Sequence, residues 1–172
     1  EKGLTGGRDI VELTAHIDLL PTLIELCTLT TPRNTEFDGV SFAPLLFQQV
    51  SELSPRCIMV QFSQTTTPPQ KWKSAVLRKK WRLVRGSELY DVSTDPGQET
   101  NLATTHPDVV ELMRADYEGW WAEVSRRFDD RSHIAVGSEH ENPVTLTSFD
   151  WHVHSGREPW NQTHVRAGTQ AN

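Results

Sequence analysis

Apolar and polar positions change period several times along the chain, and each change marks an element. From Ile10 to Ile17 the apolar residues alternate, with Val11, Leu13, Ala15 and Ile17 on one side, which is the period of a short strand or an extended lead. After Asp18 the period becomes helical. Leu20, Leu23, Ile24 and Cys27 form a stripe, Asp18 is placed to cap it, and Pro21 falls in the first turn, where a missing N–H is harmless. Thr30, Thr31 and Pro32 end that helix. Residues Arg33 to Ser54 hold the turn signal Asp38-Gly39 and an apolar clump, Phe42, Leu45, Leu46 and Phe47, without a clean period; they predict a loop with one short helical turn.

Arg56 to Phe62 is rich in β-favouring side chains and predicts a strand, followed by loop at Thr65-Thr66-Thr67-Pro68-Pro69. Ser74 to Leu77, Trp81 to Arg85 and Glu88 to Val92 are three further strands at hairpin spacing, so an antiparallel meander is the economical arrangement. In the last of them Leu89 and Asp91 face one way, Tyr90 and Val92 the other. Asp95-Pro96-Gly97 then supplies a fixed φ followed by a residue tolerant of positive φ. One face of such a sheet needs a cover. Pro107 suits a first helical position, Asp108 and Glu111 complement the helix dipole, and Val109, Val110, Met113, Tyr117, Trp120, Trp121, Val124 and Phe128 recur at helical spacing. Beyond Phe128 the pattern breaks into Asp129-Asp130-Arg131, a brief Ile134-Ala135-Val136 and a tail rich in His and Trp.

Composition narrows the classes. A length of 172 residues suits one ordinary domain with a real core. A net charge of −6 and a pI near 5.6 describe a mildly acidic, soluble chain for which nucleic acid is not the expected partner. No apolar run approaches the roughly 20 residues that span a bilayer, so no membrane partner is expected. Cys27 and Cys57 sit in apolar surroundings that suit small buried side chains better than a disulfide framework. The chain opens on Glu1 without a leader and closes on Ala167-Gly168-Thr169-Gln170-Ala171-Asn172 without a capped element, so both ends are expected to be cuts in something longer.

Several segments resemble the sulfatase family when taken in order. Glu88-Leu89-Tyr90-Asp91, the Asp95-Pro96 turn and Asn101-Leu102-Ala103 ahead of a helix are similar to that family's C-terminal region. Thr14-Ala15-His16-Ile17-Asp18-Leu19-Leu20-Pro21-Thr22-Leu23 resembles the segment that follows its catalytic core, and Phe37-Asp38-Gly39-Val40-Ser41-Phe42-Ala43-Pro44-Leu45-Leu46 the one after that. Trp81-Arg82-Leu83 fits the strand before the Glu-Leu-Tyr-Asp motif, while Gln98 stands where many relatives carry Glu. A subgroup of bacterial arylsulfatases also looks similar at Gln70-Lys71-Trp72-Lys73, at Tyr117 to Trp121, at Asn142 to Thr147, at Asp150-Trp151-His152 and at Pro159 to Gln162.

The resemblance implies an α+β chain: residues 1–55 as the end of an alkaline-phosphatase-like α/β domain, residues 56–130 as a small antiparallel sheet of about four strands packed by one long C-terminal helix, and residues 131–172 as a truncated His/Trp-rich extension. It implies a parent enzyme that hydrolyses sulfate esters with a formylglycine nucleophile and a bound calcium, exported to the periplasm or secreted, with a sulfated small molecule or polysaccharide as substrate. The Cys-x-Pro-x-Arg motif that supplies formylglycine is absent here. Thr28 to Thr31 follow Cys27 and Ile58 to Gln61 follow Cys57, so neither cysteine qualifies. No acidic pair has the surroundings of a hard-cation site either, and no metal site is expected in this segment. Nucleophile and calcium are therefore expected upstream, in a catalytic domain on which this segment packs, and the chain alone is expected to be inactive. A phosphoester or phosphonate hydrolase of the same superfamily, or a non-catalytic binding module, are the competing readings.

Three groups of residues invite a functional reading. Lys71, Lys73, Arg78, Lys79, Lys80, Arg82 and Arg85 fall within fifteen residues that contain no acid; they could steer an anionic ester or line an exposed hairpin face, as strand alternation suggests. Trp72 and Lys73 are the most specific pair among them and are expected to contact substrate. Asp150, Trp151 and His152 are the second group, as substrate contacts or as structural hydrogen-bonding groups; His152 and His154 alone do not make a metal site. His16 and Asp18 could pair as a base and an orienting acid, but capping and core packing account for them better.

Overall fold

A computed structural model describes Leu4 and residues 6–32, 35–62, 69–130, 136–140 and 142–146. The chain divides into two compact units, Glu1–Ser63 with Pro69–Val124, and Gln64–Pro68 with Ser125–Asn172.

The first unit begins with an extended lead, a 3-10 turn at His16–Asp18 and the helix α1, Leu19–Leu26, followed by the one-turn helix α2, Ala43–Leu46. Four strands follow: β1 Ile58–Gln61, β2 Ser74–Arg78, β3 Trp81–Val84 and β4 Glu88–Asp91. They form one sheet in the order β1-β2-β3-β4, every pair antiparallel, as hairpin-length connections dictate. Helix α3, Pro107–Val124, closes the unit. The expected meander with a covering helix is therefore the observed one.

Register explains the core. Val76 opposes Leu83 and Leu83 opposes Leu89, so one residue from each of three strands lines up on one face. These three pack with Val110, Met113 and Tyr117 of α3, which recur at helical spacing. Leu83, Leu89 and Met113 are wholly buried, and each such side chain contributes roughly 1.5–3 kcal/mol. Asp91 shares the inward face with Leu89, as alternation predicts; it is tolerated there because Lys80 Nζ lies 2.7 Å from Oδ2 and Ser93 caps Oδ1.

Of the two forms that alternation allowed for the first segment, residues 10–15 take the extended lead and not a strand; Leu13 and Ala15 are half-buried while Val11 is 93% exposed. Three expectations are corrected. The apolar stripe of α1 faces outward: Leu20 and Leu23 are more than half exposed and Cys27 is exposed, whereas Thr22 is the buried residue of that helix. The helix turns Thr22 inward because its hydroxyl is used twice, donating to the Asp18 carbonyl at 2.6 Å and accepting from the Phe42 N–H at 3.0 Å. After β4 the left-handed residue is Gln98 (φ 56°) and not Gly97. Asp95 fixes that corner, its carbonyl accepting from Gln98 N–H and its carboxylate from the N–H groups of Glu99 and Thr100. Finally, α3 stops at Val124 rather than running to Phe128.

The second unit, among its described residues, holds a 3-10 turn at Ser125–Arg127, continued by an Asp130 N–H to Arg127 carbonyl bond of 3.0 Å.

Candidate functional site

The segment before β2 places Trp72 in an unusual position. Its backbone is left-handed (φ 63°), a strained setting for a bulky side chain, and its N–H donates to the Tyr117 hydroxyl at 2.9 Å. That hydroxyl is wholly buried and in turn donates to Gln61 Oε1 at 3.2 Å, so strand β1, the β2 lead and α3 meet at one phenol. The indole stacks on Tyr117 with ring centroids 3.9 Å apart. It also lies against Gly86, where an added Cβ would come within 2.6 Å of the ring. Gly86 (φ 70°) and Arg85 (φ 51°) form the left-handed turn from β3 to β4.

Outside this sandwich is an open groove of about 360 Å³ lined by Trp72, Arg85, Gly86, Ser87, Arg114 and Glu118. Arg114 Nε donates to the Gly86 carbonyl at 2.5 Å and so fixes the turn to α3. Lys71 Nζ lies 2.6 Å from Glu118 Oε2. Lys73, next to Trp72 in sequence, is not in the groove lining; its N–H donates to the Gln70 carbonyl and its ammonium stands 6.0 Å from the Phe62 ring centroid. The two residues expected to act as a pair therefore point to different places. Arg114 and Ser87 escaped the sequence reading. The helical spacing of Arg114, Tyr117 and Glu118 was the available signal, since i, i+3 and i+4 share a helix face.

The basic span is largely neutralised by acids from elsewhere in the chain. Lys71 pairs with Glu118, Arg78 with Asp116 at 3.2 Å, Lys79 with Glu52 at 3.2 Å and Lys80 with Asp91. Lys73, Arg82 and Arg85 have no carboxylate partner among the described residues.

Asp18 is a structural group. Its side chain makes no cap to α1; instead Oδ2 accepts from the Ala15 N–H at 2.7 Å and from Arg56 Nη2 at 2.5 Å, and Oδ1 from the Val40 N–H at 2.9 Å and from Arg56 Nη1 at 2.7 Å. Arg56 in front of it holds its pKa at about 2 against burial, which acts the other way. His16 is exposed. Gly39 is required beside this cluster, because a Cβ there would sit 2.1 Å from the Ile17 carbonyl oxygen. Cys57 is half-buried and donates to Asp116 Oδ2 at 2.8 Å; burial first, and then that carboxylate, push its thiol up to about 11. Both effects disfavour the thiolate, the form in which a cysteine attacks.

Among the described residues no group of three or more His, Cys, Asp or Glu could hold a metal ion, and Asp18, Asp91, Asp95 and Asp116 are each committed to partners of their own. These residues do not fit calcium. No helix among the described residues is long and apolar enough to cross a membrane. Asp150, Trp151 and His152 lie outside the described residues.

No family model matches the chain. It is 33% identical over 92 residues to the Delta 4,5-hexuronate-2-O-sulfatase of Bacteroides thetaiotaomicron, a match that takes in 51% of this chain and 19% of that protein. It is 24% identical over 122 residues to human Arylsulfatase K, covering 63% of this chain and 22% of that one. Among solved structures, a 2-O GAG sulfatase superposes with a TM-score of 0.49 at 22% identity, over 81% of this chain and 30% of that one. The chain thus spans about a fifth of the length of the curated relatives it matches. By sequence it is homologous to sulfatases of the alkaline-phosphatase-like superfamily.

Proposed function

We propose that the chain is the C-terminal part of a sulfatase, a sulfuric ester hydrolase, and that it supports and borders the active-site cleft without supplying the nucleophile. The observation that carries this reading is the 33% identity to a hexuronate sulfatase, joined to motifs that follow one another in the family's order. The geometry agrees with a supporting role. The residues of those motifs are spent on structure: Asp18 on Arg56, Leu89 on the core, Asp91 on Lys80, and Asn101 Oδ1 on the N–H groups of Leu89 and Ala103.

In this reading residues 1–55 end the α/β catalytic domain, residues 56–130 are the sheet-and-helix subdomain and residues 131–172 begin an extension. Formylglycine and calcium belong to the upstream domain, which packs on the exposed face of α1 formed by Leu19, Leu20 and Leu23. The substrate is a sulfated sugar or polysaccharide, met in part by Trp72, Lys73, Asp150, Trp151 and His152, and the protein works in the periplasm or outside the cell. The test is the coding sequence upstream of Glu1, with mass spectrometry of the whole protein. An in-frame Cys-x-Pro-x-Arg carrying formylglycine, and turnover of an aryl sulfate by the whole protein but not by this chain alone, are expected. A Thr or unmodified Ser nucleophile would move the protein to phosphoester or phosphonate hydrolysis, and no nucleophile at all would leave a binding module.

A further inference from the structure

The groove beside Trp72 carries an unspent positive charge. Glu118 is cancelled by Lys71, at 2.6 Å, while Arg85 and Arg114 have no carboxylate partner among the described residues. Arg114 uses its Nε on the Gly86 carbonyl, which aims the rest of the guanidinium without neutralising it. Arg85 is presented by the left-handed turn it shares with Gly86, and the exposed Ser87 adds a hydroxyl to the same wall. Two planar guanidinium forks and a hydroxyl are the chemistry of an oxyanion, which they meet with parallel N–H donors. The space, about 360 Å³, falls at the lower end of small-ligand clefts, which run from roughly 300 to 1,000 Å³. Trp72 cannot serve as a stacking platform here, because Tyr117 and Gly86 pack against its ring. Recognition in this groove is therefore by charge.

We propose that the Arg85–Arg114 groove is an anion subsite that holds a sulfate or carboxylate group of an acidic mono- or disaccharide. The anion follows from the two arginines; its attachment to a sugar rests on the sulfatase reading above.

The experiment is an NMR amide titration of this chain with three disaccharides, one sulfated, one bearing a uronate without sulfate, and one neutral. Shifts at residues 85–87 and 114 are expected for the anionic ligands, weakening as salt is raised, with none for the neutral one. A preference for the sulfated arm assigns the subsite to the sulfate ester, a preference for the uronate arm to the carboxylate; either supports it. Arg85→Gln, an exposed change, should weaken binding at least tenfold with the core amides of Leu83 and Leu89 unmoved. Arg114→Lys, which keeps the charge and loses the fork, should weaken it severalfold. Equal response to the neutral disaccharide, wild-type binding by R85Q, or no shifts at millimolar ligand would overturn the proposal. Failure here with formylglycine present in the whole protein refutes the groove alone; anion binding without formylglycine refutes the sulfatase reading alone.

Discussion

Asp18→Asn is the most exacting check on the role given to the Asp18–Arg56 pair. Asp18 is wholly buried and its two oxygens accept four hydrogen bonds, two from Arg56 and two from backbone N–H groups. Asparagine keeps the shape but turns an amide NH₂ towards one backbone N–H and one guanidinium N–H, leaving the half-buried Arg56 guanidinium without its counter-charge. Breaking such a pair costs about 3–5 kcal/mol, a large part of the ~5–15 kcal/mol that holds a domain together. The same group sets an acid limb. Its pKa falls from 3.8 to about 2 on folding, so its stabilisation is fully present above pH 3.8 and is lost as pH falls through 2. At ~1.4 kcal/mol per unit the shift amounts to about 2 kcal/mol. Urea unfolding of the wild type and of D18N at pH 7, and at steps from pH 4 down to below 2, measures both quantities. Other carboxylates titrate in both proteins and cancel in the difference. The expected gap is about 3–5 kcal/mol at pH 7, narrowing by about 2 kcal/mol through the acid range. A gap under about 1 kcal/mol at neutral pH, or one that does not narrow in acid, refutes the assignment.

Two further outcomes follow from the groove and the thiols. Gly86→Ala puts a methyl into the Trp72 ring at a left-handed residue, and should cost about 2–4 kcal/mol with a change in tryptophan fluorescence; an unchanged urea midpoint would contradict the sandwich described here. Alkylation followed by peptide mapping at pH 8 should modify the exposed Cys27 well before Cys57, whose pKa is raised to about 11, and Asp116→Asn should bring Cys57 forward; equal rates in the wild type would show that burial and Asp116 do not protect it.

Most of the fold was legible because its elements are local. Strands β2 to β4 are joined by two- and three-residue turns, so alternation fixes both their pairing and their register, and the apolar period of α3 supplies a cover for their inward face. Legibility ended where a side chain's partner is distant in sequence. The stripe on α1 reads as buried from its own period, yet Thr22 is the buried residue because Phe42 N–H, twenty residues on, needs its hydroxyl. Gly97 reads as the left-handed residue from propensity, yet Asp95 captures the following N–H groups and places Gln98 there. Trp72 and Lys73 read as one pair because they are adjacent; the strained backbone at Trp72 sends the indole to Tyr117 and leaves the ammonium beside Phe62.

Periodicity, turn residues and the order of short motifs therefore determined the architecture and the kinship with sulfatases. Tertiary structure decided which charges are left to act. A run of seven cations without an acid carries no information about its neighbours, since ion pairs are short-ranged contacts that the fold assembles from remote positions. Folding brings Glu52, Asp91, Asp116 and Glu118 to four of those cations and brings Arg114 to a fifth, Arg85. What read as a basic stretch is, among the described residues, four ion pairs, with Lys73, Arg82 and Arg85 left without a carboxylate and only Arg85 of these three in the groove lined by Arg114.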